Sequence, residues 1–105
     1  MLGEHAEATI DIDASGRVRV SGPVVMDSVV MLERELTSAL AKAPGATIDF
    51  SGVTRADSAG VALLIASMRE SNARGEQVAF ENLPSQMIDI ARVCGLDWIP
   101  GVAPE

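Results

Sequence analysis

The residues best placed to do chemistry are Asp57 and Ser58, where a strongly apolar helix is predicted to begin. A serine at a helix start can act as N-cap, its hydroxyl accepting a hydrogen bond from a free backbone N–H of the first turn. The same hydroxyl lies at the positive end of the helix dipole, where an added phosphate is electrostatically favoured. We therefore expect Ser58 to be both a structural cap and a candidate phosphorylation switch.

An enzyme would need further groups that this sequence lacks. His5 is the only histidine and falls in a predicted N-terminal tail, so a catalytic triad centred on Ser58 would have no base. The sequence contains no Cys/His cluster with zinc-ligand spacing, no Walker lysine motif and no G-x-G-x-x-G phosphate loop. We expect a protein that is not an enzyme and that binds no metal and no cofactor.

Four aspartates are the remaining candidates for chemistry: Asp11, Asp13, Asp49 and Asp57. They raise the alternative of a magnesium-bound aspartate that accepts a phosphoryl group, as in receiver domains. However, the chain opens with a predicted hairpin, and its only lysine, Lys42, falls in the first predicted helix. We interpret the four aspartates as solvated strand edges and a helix cap.

Composition excludes several classes of partner. The 105 residues carry a net charge of −7, and a nucleic-acid-binding protein or a polybasic membrane-surface protein would need clustered lysine and arginine. No segment has the ~20 consecutive apolar residues of a membrane-spanning helix. The N-terminal residues lack the pattern of a signal peptide, and the single cysteine suits a reducing compartment. We expect a cytoplasmic protein that does not insert into a membrane.

The order of elements is predicted as ββαβαβα. Residues 8–13 and 17–21 alternate in polarity and flank a turn at 13–16, which indicates an antiparallel hairpin that ends at Gly22-Pro23. A helix then begins at Asp27, with Met26 and Met31 placed as a hydrophobic staple, and ends at Pro44-Gly45. We predict the α/β class, with helices packed against a small mixed sheet of about four strands.

The second half of the chain repeats this alternation. A strand over 46–50 and a loop over 51–57 precede the helix over 58–74, and a strand over 77–81 precedes a third helix that begins near Ser85. Gly95 and Leu96 fit a Schellman ending of that helix. We expect Cys94 to be a small core residue and Trp98 to pack on the core. The predicted organisation is a tail over 1–7, one domain over 8–99 and a tail over 100–105.

The second helix presents two faces. Val61, Leu64, Ile65 and Met68 share one face, which should pack on the sheet. The opposite face is also uncharged over its first two turns and comprises Ala59, Leu63, Ala66 and Ser67. Two interpretations stay open at this point: a neighbouring helix of the same chain covers this face, or part of it meets another protein.

The sequence resembles a known family at the start of this helix. Residues 48–53 followed by 57–64, with their Asp-Ser-Ala-Gly element, resemble the signature of STAS domains, the sulfate-transporter and anti-sigma-antagonist family. Gly75, residues 82–84 and residues 93–96 also fall where STAS domains place a turn, the end of the last strand and the final helix. The resemblance covers about residues 8–99.

Within the family, the residues are most similar to MlaB-type subunits, through 22–25, 80–84, 91–96 and 98–100. That resemblance implies a cytoplasmic subunit that binds the MlaF-like ATPase of an Mla-type ABC phospholipid transporter. Such a complex also contains a permease and a periplasmic lipid-binding subunit, and it maintains the lipid asymmetry of the outer membrane. The subunit itself touches neither lipid nor nucleotide and lies at the inner membrane only through its complex.

The alternative implied by the family is an anti-sigma factor antagonist, in which a partner kinase phosphorylates a serine that matches Ser58. In either case the resemblance implies docking through one surface around the second helix. The expected partner-binding residues are Thr54, Arg55, Asp57, Ser58, Ala59, Gly60, Leu63, Ala66 and Ser67. Three of these expectations are specific: Leu63→Glu leaves the domain folded but abolishes binding, a side chain at Gly60 crowds the helix start or the partner, and Arg55 steers an acidic group or phosphate.

Overall fold

Four strands form one mixed sheet in the order β1-β2-β3-β4, in a computed structural model that describes residues 7–102. β1 is antiparallel to β2, and β2, β3 and β4 are parallel. The elements in chain order are β1 (Thr9–Ile12), β2 (Val18–Val24), α1 (Val29–Lys42), β3 (Thr47–Ala56), α2 (Ser58–Ala73), β4 (Ala79–Glu81) and α3 (Ser85–Val93). The predicted α/β class and the ββαβαβα order are confirmed. The expectations for residues 1–6, His5 included, and for 103–105 lie outside the described residues.

The predicted hairpin turn is closed by two backbone hydrogen bonds, Asp13 N–H to Arg17 O and Gly16 N–H to Asp13 O, and by one carboxylate. Asp13 Oδ1 accepts hydrogen bonds from the backbone N–H groups of Ser15 and Arg17, at 2.9 and 3.0 Å, and from the Ser15 hydroxyl. Gly16 completes the turn with φ of +86°, a left-handed conformation that glycine adopts without strain. The carboxylate replaces backbone partners that the tight turn cannot supply, so the residues between β1 and β2 fix the register of the hairpin.

β2 and β3 are both longer than predicted, and the pairing explains why. Gly22-Pro23 does not end β2, because the ladder shifts register at this point and Gly22 has φ of +87°, which places Pro23 at an irregularity. Residues 51–56, predicted as a loop, continue β3 and pair with β2 through Gly52, Val53, Arg55 and Ala56. The prediction of a seven-residue loop before α2 was therefore wrong.

The three helices form one layer on one face of the sheet, since α1 packs on α2 and α2 packs on α3. The core lies between this layer and the sheet, where Phe50 and Phe80 meet edge to face with ring centroids 5.9 Å apart. The fully buried side chains around them are aliphatic: Val18, Val20, Val24, Leu32, Ile48, Leu63, Leu64, Met87, Ile99 and Val102. Ile99 and Val102 show that the chain packs against the core for three residues beyond position 99.

The opposite face of the sheet is polar, and Asp49 lies at its centre. Asp49 is 4% exposed, and its carboxylate accepts hydrogen bonds from Asn82 Nδ2 at 2.9 Å and from the backbone and hydroxyl of Ser51. Arg19 Nε lies 3.4 Å from Asp49 Oδ2. The amide of Asn82, together with the Ser51 donors and Arg19, holds the pKa of Asp49 below its ordinary value despite burial. The prediction of a solvated strand edge was wrong at this position, because β3 is an interior strand.

The start of α1 differs from prediction, and the end of α3 agrees with it. α1 begins at Val29 with Ser28 as its N-cap, and the Ser28 hydroxyl donates back to Pro23 O, so Asp27 is not the cap. Met26 is 67% exposed instead of packing as a staple. The Schellman ending of α3 is confirmed: Leu96 N–H donates to Ala91 O at 2.7 Å.

The C-terminal end of α3 is more exposed than its sequence pattern predicts. Cys94 is the C-cap and lies in solvent, so its assignment to the core was wrong. Trp98 is 60% exposed, whereas its neighbour Ile99 is fully buried. The Schellman turn redirects the chain at Gly95, so helical periodicity no longer predicts which side chains face inward.

Candidate functional site

Ser58 lies exposed at the edge of the sheet where all three helices begin. It is the first residue of α2 and follows directly on β3, at the carboxyl end of the parallel strands. The β2–α1 loop reaches this point, because Met26 N–H donates to Asp57. The start of α3 reaches it as well, because Met87 packs against Gly60. Open α/β sheets commonly place their functional residues at this edge.

Asp57, and not Ser58, caps α2. Asp57 has extended backbone angles, φ −129° and ψ −162°, and its Oδ1 accepts from the N–H of Ala59 at 2.8 Å. The expectation that Ser58 is the cap was wrong by one residue. An aspartate cap also complements the positive end of the helix dipole. The Ser58 hydroxyl is therefore not required for capping, and it is available for contact or modification.

The expected partner-binding residues divide into two groups. Thr54, Arg55 and Ser58 are exposed and Asp57 is half-buried, so these four lie where another molecule can reach them. Ala66 is half-buried, and the remaining four lie inside the fold: Ala59, Gly60, Leu63 and Ser67. The uncharged face of Ala59, Leu63, Ala66 and Ser67, which was expected to dock on a partner, is therefore not open to one as a continuous surface.

Helix α1 covers this face, which confirms the first of the two interpretations that the sequence left open. Glu33, Leu36, Thr37 and Leu40 of α1 lie against the row formed by Leu63, Ala66 and Ser67. Leu63 is 0% exposed, and the Ser67 hydroxyl donates to Leu63 O at 2.8 Å within the helix. The expectation that Leu63→Glu leaves the domain folded no longer holds, because it would bury an unpaired charge.

Packing within the chain explains why residue 60 is a glycine. A β-carbon at this position would lie 3.1 Å from both Cγ and Sδ of Met87. The glycine thus lets the first turn of α3 pack closely on the first turn of α2. The expected crowding of the helix start is correct in kind, but the group that approaches Gly60 belongs to this chain and not to a partner.

The sequence analysis missed the exposure of three apolar residues near the starts of α1 and α2: Met26, Val30 and Ala62. Ala62 is one turn beyond Ser58 on the outer side of α2, so a helical wheel drawn from Ser58 would have found it. Met26 was assigned to a staple inside the fold, and Val30 was not singled out. An apolar residue at a helix start gives no signal of exposure, since such positions are commonly packed.

This arrangement can bind or be modified, but the described residues offer no catalytic set. The Ser58 hydroxyl has the half-buried aspartate cap beside it, and residues 7–102 contain no histidine. Within the same residues, no group of three or more His, Cys, Asp or Glu side chains is placed to hold a metal ion. Of the helices between residues 7 and 102, none is long and apolar enough to cross a bilayer.

The fold is that of a STAS domain. A family model described as "Mlab, STAS domain" matches residues 6–101, nearly the whole chain. The chain belongs to this STAS-domain family. Members of the family are generally binding or regulatory domains. A comparison with curated proteins finds no match.

Solved structures support the fold. The anti-sigma factor antagonist SpoIIAA in its unphosphorylated form is 20% identical with a TM-score of 0.66, over 93% of this chain and 89% of that one. The Bacillus cell fate determinant SpoIIAA in its phosphorylated form is 22% identical with a TM-score of 0.63, over 93% and 92%. A STAS-domain protein from Planctomyces limnophilus is 16% identical with a TM-score of 0.66, over 90% and 87%. This chain is thus similar in fold to anti-sigma factor antagonists.

Proposed function

We propose that this protein is a non-enzymatic subunit that binds the ATPase of an Mla-type ABC phospholipid transporter. In this role it works in the cytoplasm, peripheral to the inner membrane through its complex with the permease and the periplasmic lipid-binding subunit. It contacts the MlaF-like ATPase and needs no cofactor. The "Mlab" description of the matching family model supports this choice among the roles of STAS domains.

The observation that carries the proposal is the exposure of Ser58 at the start of α2. Its hydroxyl is free of the capping role, and the outer side of α2 has no charged residue between Asp57 and Arg69. The outer side of α2 suits close contact with another protein, because its burial desolvates no charge, and the charged residues Arg55 and Asp57 lie at the start of this surface. We retain Thr54, Arg55, Asp57 and Ser58 as its contact residues.

A second candidate function is that of an anti-sigma factor antagonist, with Ser58 phosphorylated by a partner kinase. The similarity in fold to SpoIIAA, solved in unphosphorylated and phosphorylated forms, favours it. The exposed Ser58 favours it as well, since a kinase must reach the hydroxyl. A phosphate at this position would add about −1.5 to −2 charges at a helix start, which the domain itself tolerates and a close protein contact does not.

Affinity purification from the native cell separates the two candidates. The tagged chain is recovered under mild conditions, and co-purifying proteins and the mass of the chain itself are determined. An ABC ATPase recovered in a fixed ratio, with the chain at its unmodified mass, is the expected result. Recovery of a kinase together with a chain heavier by one phosphate at Ser58 would replace the transporter role with the antagonist role.

A further inference from the structure

We propose that residues 96–102, here called the C-terminal strap, open as a separate unit while the sheet and the helices stay folded, and that Arg92 latches this strap closed. The inference goes beyond the proposed function, since it concerns a movement within this chain alone. Its test needs no partner protein, so its outcome is independent of the proposed function.

The strap lies along β4, which is an edge strand of the sheet. Pro100 lines a small cleft together with residues 77–78, just before β4 begins. A β-carbon on Gly101 would lie 3.4 Å from the carbonyl oxygen of Phe80, within β4, and 3.0 Å from Leu83 Cδ1, just after it. The strap therefore passes alongside β4 from its start to its end.

Two side chains anchor the strap in the core. Ile99 and Val102 are both 0% exposed, whereas the two residues between them are exposed. Within the strap, Ile99 N–H donates to Leu96 O at 3.1 Å, and Val102 N–H donates to Ile99 O at 3.0 Å. The strap contains no helix or strand. A segment that is held by turns and by two buried side chains opens at a lower free energy than a buried helix does.

Arg92 bonds the far end of the strap to α3. Its Nε and Nη2 both donate to Val102 O, at 3.3 and 3.1 Å. Hydrogen bonds from a charged donor are stronger than those between neutral groups. At the near end, the Schellman turn at Gly95, with φ of +75°, connects the strap to α3. The strap is thus hinged at Gly95 and latched at Val102.

Native-state hydrogen exchange, followed by NMR on the full chain, tests whether the strap opens on its own. The amides of Ile99 and Val102 report on the strap, and the amide of the buried residue Leu64 reports on α2. We expect the strap amides, corrected for their intrinsic rates, to exchange at least about tenfold faster than Leu64. Leu63→Ala, which weakens the core between α2 and α1, should speed exchange at Leu64 and leave the strap amides unchanged.

Arg92→Ala removes the latch and is expected to speed exchange of both strap amides about tenfold, which corresponds to the loss of a charged hydrogen bond. Arg69→Ala, at an exposed arginine of α2, is the matched control and should leave them unchanged. Arg92→Lys keeps a positive charge in the last turn of α3 but cannot present two fixed N–H groups to one carbonyl oxygen. This variant should therefore speed strap exchange as well, by several-fold.

Gly101→Ala tests the contact between the strap and β4. The added β-carbon would meet Leu83 and Phe80, and φ is +90°, so exchange of the strap amides should be faster by about tenfold or more. Gly45→Ala is the matched control, because Gly45 has φ of +70° and open space around it, and it should leave the strap amides unchanged. Equal strap exchange in the two glycine variants would mean that the strap does not lie against β4 in solution.

Two further results would overturn the proposal. Strap amides that exchange as slowly as Leu64, and that speed up with it in Leu63→Ala, would show that the strap opens only when the whole domain unfolds. Equal strap exchange in Arg92→Ala and Arg69→Ala, or wild-type exchange in Arg92→Lys, would show that the guanidinium is not the latch.

Discussion

Ser58 and Asp57 divide between them two tasks that a single residue performs in many helices. The aspartate satisfies the first turn of α2 through Ala59 N–H, and the serine next to it contributes an exposed hydroxyl. A phosphate on that hydroxyl would leave the aspartate cap in place. The site is therefore built so that a change at Ser58 alters what a partner meets more than it alters the fold.

The stability of single variants should reflect this division. Asp57→Ala removes the cap and is expected to lower the free energy of unfolding by about 1 kcal/mol. Ser58→Ala should change it by less than about 0.5 kcal/mol, as at an ordinary surface position. Urea denaturation of the two variants and wild type measures the difference. A larger loss for Ser58→Ala than for Asp57→Ala would show that the serine is the working cap.

Leu63 should behave as a core residue. Because its side chain is fully buried between α2 and α1, Leu63→Ala is expected to lower the free energy of unfolding by about 2–5 kcal/mol. Ala62→Ser, one residue away on the exposed side, is the matched control and should remain near wild type. Chemical denaturation reports both values. A stable Leu63→Ala variant would mean that α1 does not cover this face in solution.

Asp49 should make stability depend on pH. Its folded-state pKa lies below the ordinary value of 3.8, so its contribution is fully present above that value and is lost as the pH falls through the folded pKa. Asp49→Asn is expected to cost about 2 kcal/mol at neutral pH, because donors from Asn82 and Ser51 lose a charged acceptor. Urea denaturation of both chains from neutral pH to about pH 3 should show the difference shrinking. If the difference in free energy of unfolding between the two chains did not change with pH, the ionised Asp49 carboxylate would not be the stabilising group.

At the scale of elements, the join between β1 and β2 depends on Gly22. A β-carbon there would lie 2.6 Å from the carbonyl oxygen of Glu7 and 2.8 Å from Ala8 Cα, and φ is +87°. Gly16 has nearly the same φ, +86°, but open space around it. Gly16→Ala is therefore expected to cost about 1 kcal/mol and Gly22→Ala about 3 kcal/mol, as measured by thermal unfolding. An equal loss of stability in the two variants would mean that the backbone of Glu7 and Ala8 does not lie this close to Gly22 in solution.

The elements show which parts of the fold local sequence can predict. The hairpin turn at 13–16 and the Schellman ending at Gly95 were predicted correctly, because the residues that make them are adjacent in sequence. The lengths of β2 and β3 were not predicted correctly, because residues 51–56 become a strand only through pairing with β2. Propensity favours a turn at Ser51-Gly52, and the ladder overrides it.

The site was also predicted only in part, because some of its features depend on residues that are distant in sequence. Ser58 and Asp57 were located by the turn-to-helix pattern, and both were interpreted as caps, since both residue types cap helices about equally well; in the structure Asp57 alone is the cap. Leu63 was assigned to the wrong side of the fold because a helical wheel shows which residues share a face and not which neighbour covers it. Only tertiary structure shows that α1 lies on that face.

At the scale of the molecule, one face of the sheet is covered by helices and the other is polar. The three helices begin at the same end of the molecule, because each follows one of the parallel strands β2, β3 and β4. The chain carries a net charge of −7, and the exposed side chains at this end are of both kinds: Ser58, Ala62 and Met26 are uncharged, whereas Asp27 and Arg55 are charged. An end that combines uncharged and charged side chains suits a specific contact with a partner.

The affinity of the purified ATPase subunit for the wild-type chain and two Ser58 variants tests this account most directly, with calorimetry as the measurement. We predict a stable complex with wild type, binding within about threefold for Ser58→Ala, and binding weaker by at least about tenfold for Ser58→Asp, whose added charge would enter a close contact next to the Asp57 carboxylate. No binding by wild type, or equal binding by all three chains, would contradict the claim that the start of α2 is the docking surface.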